Sequence, residues 1–184
     1  MTDLTRAAIG LFAVMAAPGA LAAFSSLASM LLADRVRAIG SAALLALATL
    51  AVIAAVNEPI LDWLSVSGEN FQTAAGIVMG PLAFRLLWTG ETWAPQSSSP
   101  TWRAWSLLSG PVPAVLMLSY AARFGFGTAT GAAVIALAAS AAILLASGWL
   151  SSRLGPLQGL LGRFNGALIV VLAVELILDG VQSA

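Results

Sequence analysis

Six apolar stretches take up most of this 184-residue chain, at 7–33, 38–57, 71–89, 105–122, 130–150 and 164–182. A helix needs about 20 apolar residues to cross the hydrocarbon core of a bilayer, and these stretches reach or approach that length. The charge content excludes a water-soluble fold. The chain is 60% hydrophobic and 9% charged, against about a quarter charged in ordinary globular proteins. Within lipid, backbone polar groups must be satisfied inside each segment, which favours helices. The sequence therefore predicts an all-α, polytopic membrane protein of six transmembrane helices, one domain embedded in the lipid bilayer. Zero net charge leaves no electrostatic footprint for nucleic acid. With neither Cys nor His, disulfides, thiolate or imidazole metal sites and catalysis by either residue are excluded. No nucleophile–base pair is visible, so the expectation is a protein that is not an enzyme and uses no cofactor or metal.

A weak internal repeat organises the six stretches. Gly76, Leu82, Ala83, Leu86 and Gly90 recur 90 positions later as Gly166, Leu172, Ala173, Leu176 and Gly180. The same offset relates Leu47 to Leu137, Ile53 to Ile143 and Leu64 to Leu154. Residues 91–103, with Pro95, Pro100 and three consecutive serines from Ser97, read as a linker between repeat one, about 5–90, and repeat two, about 104–182. Three helices per repeat force the second copy to enter from the opposite side, so the repeats are expected to be inverted. Duplication of this kind is common in secondary transporters, whose substrate site lies where the repeats meet.

Arginine alone sets the orientation, since the chain has no lysine. Arg35, Arg37, Arg103, Arg153 and Arg163 fall on one side; Arg6 and Arg123 fall on the other, with Glu58, Asp62 and Glu69. The positive-inside rule then puts both termini on the non-cytoplasmic side of the cell membrane. Arg6, the apolar run 7–17, Pro18-Gly19 and Ala20-Leu21-Ala22 also resemble a secretory signal with its cleavage site. Against that reading, the apolar run continues through Leu32, and cleavage would remove half of the first helix of a duplicated unit.

Two stretches carry prolines at equivalent places. Pro18 sits near the centre of the first, Pro111 and Pro113 near the centre of the fourth, an offset of 93 in this element. Proline donates no backbone hydrogen bond and its ring clashes with the carbonyl four residues back. The carbonyls of Val14, Leu107 and Ser109 are thereby freed, and in lipid they need protein, water or a ligand. Flanking Gly19 and Gly110 allow the backbone to bend and to be approached closely. Inverted symmetry would bring both breaks to one depth, where half-helix N-termini suit a carboxylate. Simple kinks are the alternative reading, because Pro and Gly are frequent in transmembrane helices.

Among the charges, Arg85 and Glu175 occupy equivalent positions, but inversion displaces them toward opposite faces, so no direct pair is expected. Arg85 can snorkel to the headgroups. Glu175 and Asp179, four apart on one helix face, approach the outer surface and are candidates for coupling to a proton or ion. Ser26, Ser109, Ser119 and Asn165 are lesser polar candidates. Gly76 and Gly80 form a small-xxx-small face for packing another helix. Trp88, Trp93, Trp102 and Trp105 read as interfacial anchors. Gly125-Phe126-Gly127 lies between two membrane stretches with no preceding strand, which rejects a nucleotide loop.

These features together resemble the MarC family of integral membrane proteins, over residues 11–181. Ala17-Pro18-Gly19-Ala20 followed by Ser25-Ser26-Leu27 is similar to its first signature, though the acidic or amide residue before the proline and a second proline are absent. Gly110-Pro111-Val112-Pro113-Ala114 is similar to its Gly-Pro-Gly-Ala motif. The last stretch matches best: Arg163-Phe164-Asn165-Gly166 and Ala173-Val174-Glu175-Leu176-Ile177-Leu178-Asp179-Gly180 resemble Arg-x-x-Gly and Ala-Val-Gln-x-x-x-Asp-Gly. Ala74-Ala75-Gly76-Ile77 resembles Ala-Gly-Gly-Ile, with Arg85 where an aspartate is usual. The resemblance implies a six-helix bundle of two inverted halves and, as in some relatives, transport of small neutral amino acids.

Two functions are then in view. One is a secondary transporter or exporter of small neutral amino acids or similar zwitterions, by alternating access, with a substrate site at Pro18, Gly19, Gly110, Pro111 and Pro113, helped by Ser26, Ser109 and Ser119. The other is a membrane partner subunit, or a divergent duplicate, that has lost its substrate.

Overall fold

The computed structural model describes residues 2–15, 31–90, 99–154 and 158–183. These are helical almost throughout: α1 Asp3–Met15, α2 Leu32–Ala55, α3 Asn57–Leu64, α4 Gly68–Thr89, α5 Pro100–Ser109, α6 Pro111–Leu154 and α7 Gln158–Ser183. By length and composition, three described stretches can cross a membrane: Leu32–Ala55, Pro100–Ala146 and Gly162–Gln182. The second is 47 residues long, about 70 Å of helix where a bilayer core needs about 30 Å. It is interrupted at Gly110 and Gly125. Helix α4 lies where the sequence predicts a span but carries Glu69 and Arg85 and is not one of the three.

What faces outward is the strongest sign of a lipid environment. Along α2 the buried stripe is Arg35, Ala38, Ile39, Ala42, Ala46, Leu50 and Ala54, four of the seven being alanine. Leu44, Leu45 and Val52 of the same helix lie outside. The pattern repeats in α6, which buries Ala129, Ala132, Ala133 and Ala136 and exposes Val134 and Ile135. Small residues inside and large apolar ones outside is the arrangement of helices that pack closely while tails solvate their outer faces. In water it would leave the hydrophobic surface on the wrong side.

Helix ends follow local chemistry. Ser67 caps α4 by accepting the Asn70 N–H at 3.3 Å. Gly90 closes the same helix in the left-handed region, φ 69°, and donates to the Leu86 carbonyl at 2.8 Å. Pro100 begins α5 at its first turn, so the linker expected over 91–103 gives way to helix by residue 100. Gly125 holds φ 80°, ψ 161° within α6, a conformation that suits only glycine. The connection expected around 123–129 is thus one non-helical residue. Helix α3, over residues the sequence read as a connection, ends at Ser65 in the left-handed region, φ 53°.

Helices α4 and α7 form the most extensive pair, and glycine makes it possible. A β-carbon on Gly76 would stand 2.5 Å from the Ala173 carbonyl oxygen and 2.6 Å from Ile177 Cγ1. One on Gly166 would stand 2.6 Å from Leu87 Cα, and one on Gly180 would stand 2.6 Å from the Glu69 carbonyl oxygen. As α4 advances from Glu69 to Leu87, its partner runs back from Gly180 to Gly166, so the two helices are antiparallel. Gly80, paired with Gly76 in the sequence reading, meets nothing within 4 Å; only Gly76 is a packing position.

Candidate functional site

The helix break at Gly110 is real. Pro81 lies inside α4, which runs on through it, so proline alone does not interrupt a helix here. At Gly110 the backbone is extended, φ −62°, ψ −177°, and α6 restarts at Pro111. The residue before a proline is biased away from helix, and Gly110 has no β-carbon to collide with the Ser106 carbonyl. Helix α5 therefore ends and α6 begins within one residue. The new helix presents few donors. Pro111 and Pro113 have no N–H, and the Ala114 N–H is taken by the Gly110 carbonyl at 3.0 Å. Val112 alone brings an N–H to the first three positions, alongside the positive end of the helix dipole.

Beside this break lies a cavity of about 70 Å³, lined by Val14, Leu86, Ser106, Leu107, Gly110, Pro111, Val112, Pro113, Asn165 and Ile169. One water needs about 10–15 Å³ on the same measure, so the space admits a solute of a few heavy atoms. Its described walls are mainly apolar and carry no charged side chain. Asn165 is the exception in polarity. It is 1% exposed, and among the described residues neither its Nδ2 nor its Oδ1 has a hydrogen-bond partner. A buried polar group left unmade costs about 1–3 kcal/mol.

The cavity gathers Gly110, Pro111 and Pro113 from the sequence prediction. Pro18, Gly19 and Ser26 lie outside the described residues. Ser109 and Ser119 are not in its lining, and each donates its hydroxyl to its own helix, Ser109 to the Trp105 carbonyl at 2.9 Å and Ser119 to that of Val115 at 3.0 Å. Ser106 takes the lining place instead. Asn165 carried no special weight in the sequence, because its isolation depends on what four helices leave around it.

Glu175 and Asp179 belong to a separate cluster. Arg6 Nε donates to Glu175 Oε1 at 2.8 Å, and its Nη2 reaches Asp179 Oδ2 at 3.4 Å. Arg123 closes the cluster by pairing with Asp179 as well. Two cations and two carboxylates from α1, α6 and α7 thus neutralise one another, with Gln72 of α4 and Tyr120 alongside. Glu175 pairs with Arg6, as the sequence left room for by placing Arg6 and Arg123 on its side. Eight positions separate Arg6 from Val14 along α1, about 12 Å. Leu11, Met79, Leu116 and Met117, all 0–1% exposed, belong to the buried core and stand on their helices between the residues of the cluster and those of the cavity. A dry plug therefore stands between the charges and the cavity.

A larger hollow of about 290 Å³ lies by the end of α2, lined by Ala54, Ala55, Asn57, Glu58, Ala121 and Phe126. The break at Gly110 does not reach it, whereas Phe126 beside Gly125 does.

The family model for MarC integral membrane proteins matches residues 1–184, the whole chain. The chain belongs to the MarC family of integral membrane proteins. No curated protein and no solved structure matches it. Membership makes this MarC-family protein an integral membrane protein, in agreement with its outward-facing apolar residues and its apolar helices. It also extends the resemblance read from Ala17–Leu27, Gly110–Ala114 and Arg163–Gly180 to the full length.

Proposed function

We propose that this MarC-family protein is a secondary transporter of small neutral amino acids or similar zwitterions, working by alternating access at the helix break. The observation that carries the reading is the cavity at Gly110-Pro111. Broken helices with a small cavity at the break are how many carriers seat a substrate. Val14 and Leu107, equivalent under the 93-residue offset, both line it, which supports a site where two halves of one duplicated unit meet.

Further support for inverted repeats comes from α4 and α7. Gly76 packs on Ile177 and Gly166 on Leu87, and each pair becomes the other when 90 is added to one number and subtracted from the other. The full proposal is six spans in two inverted repeats, with both termini on the non-cytoplasmic side. The uncharged lining favours a solute of zero net charge, because stripping a net charge of water without a counter-charge costs several kcal/mol. A carboxylate would face the Val112 N–H and the dipole of α6.

Reconstituted into liposomes, the protein should move labelled alanine or glycine, and Pro111→Leu should abolish that movement at unchanged yield. If no small amphoteric solute moves, the carrier reading fails, and a partner-subunit role is then tested by co-purification.

A further inference from the structure

We propose that the side-chain amide of Asn165 is the group that reads the substrate, its Nδ2 donating to one polar end of a small amphoteric solute and its Oδ1 accepting from the other. The assignment rests on the carrier reading above and names the recognising residue of that site. Three observations converge on it. Asn165 is 1% exposed and both of its polar atoms lack a protein partner. It lines the same cavity as Gly110, Pro111 and Val112, where α6 begins. The rest of the described lining offers little else to a polar solute: Ser106 donates its hydroxyl to the Arg103 carbonyl at 2.9 Å, Pro111 and Pro113 have no N–H, and seven of the ten lining residues are hydrocarbon or proline ring apart from their backbone.

The chemistry of the amide fits one class of ligand. A carboxamide presents two N–H donors and one oxygen acceptor a little over 2 Å apart. A molecule carrying both a carboxylate and an ammonium on one carbon presents the complementary pair. The carboxylate takes the Nδ2 protons together with the Val112 N–H, and the ammonium gives a proton to Oδ1. Cavity size restricts the remaining side chain to hydrogen or a methyl-sized group. Among the described lining residues Ser106 is the one other polar side chain, and its proton is already given to the Arg103 carbonyl, so a serine-like or acidic side chain gains little there.

Glycine and alanine binding to the purified protein in lipid nanodiscs tests the assignment. Asn165→Leu keeps the branched shape, is somewhat larger, and removes both polar atoms. It should weaken binding roughly tenfold or more, the loss expected for a hydrogen bond to a charged group. Its melting temperature without solute should hold or rise, because two unpaired polar atoms leave the interior. A merely structural asparagine would give the reverse, a lower melting temperature. Asn165→Asp should also lose the carboxylate ligand, since it cannot donate. Binding by Asn165→Leu within twofold of the parent overturns the role of Asn165 while leaving the carrier intact. Absence of both binding and flux in the parent protein overturns the carrier reading and this assignment with it.

Discussion

At the scale of single residues, small side chains decide what can approach what. Gly76 and Gly80 look alike in sequence, four apart on one apolar helix, yet only Gly76 is closed over by α7. Gly76→Leu should drive α4 and α7 apart, costing at least the ~1–3 kcal/mol of an overpacked core. Gly80→Leu should be close to silent. Melting temperatures of the two purified variants, measured side by side, check this; equal losses would place Gly80 in an interface as well. Prolines act by subtraction. Pro111 and Pro113 remove two of the three N–H groups with which a helix would greet an anion. The remaining Val112 N–H suits one carboxylate oxygen and leaves phosphate or sulfate short of donors. Both prolines were legible from the sequence. The isolation of Asn165 was not, because an unpaired amide is a property of its neighbours rather than of its own position.

Among the elements, apolar length located helices well and their ends less well. Residues 38–57, 71–89 and 164–182 became Leu32–Ala55, Gly68–Thr89 and Gln158–Ser183. Each starts three to six residues earlier because helices continue past the apolar core into polar flanks such as Asp34 or Glu69, which suit a first turn. The eight-residue α3 escaped notice because Glu58, Pro59 and Asp62 give it the composition of a loop. Gly125-Phe126-Gly127 suggested a connection of several residues, whereas helical geometry lapses at Gly125 alone. That residue should tolerate no β-carbon. Space is open around it, so any cost of Gly125→Ala is backbone strain, about 1–3 kcal/mol. Thermal unfolding should show the loss, and an unchanged melting temperature would mean that the break relaxes at no cost.

Taken as a whole, the molecule keeps the cluster of Arg6, Arg123, Glu175 and Asp179 toward one end and its cavity further in, with buried apolar side chains between. Such a plug must open if solute is to pass on that side, and the cluster of Arg6, Arg123, Glu175 and Asp179 is the natural latch. Arg6 and Glu175 have side chains 42% and 36% exposed; where that face meets water at the membrane surface, their pairing falls to the ~0.2–1 kcal/mol of an accessible ion pair. A latch of that strength can release on its own. Asp179, which holds both arginines, is its centre. The chain has no cysteine, so Met117→Cys would carry a lone thiol within the plug. A membrane-impermeant maleimide should label it slowly, and several-fold faster once Asp179→Asn is added. Equal rates would show that the charges do not close this end. The cluster was half legible: the sequence put its four members on one side but could not pair groups 169 positions apart. One trait of the interior bears on how such a molecule changes shape. Where α2 and α6 bury their alanines, much of each seam is methyl groups, which have no rotamers to reset when surfaces slide. Neighbouring rods can shear past each other without unlocking interlocked side chains, so swapping the open side asks for little repacking of the seam itself.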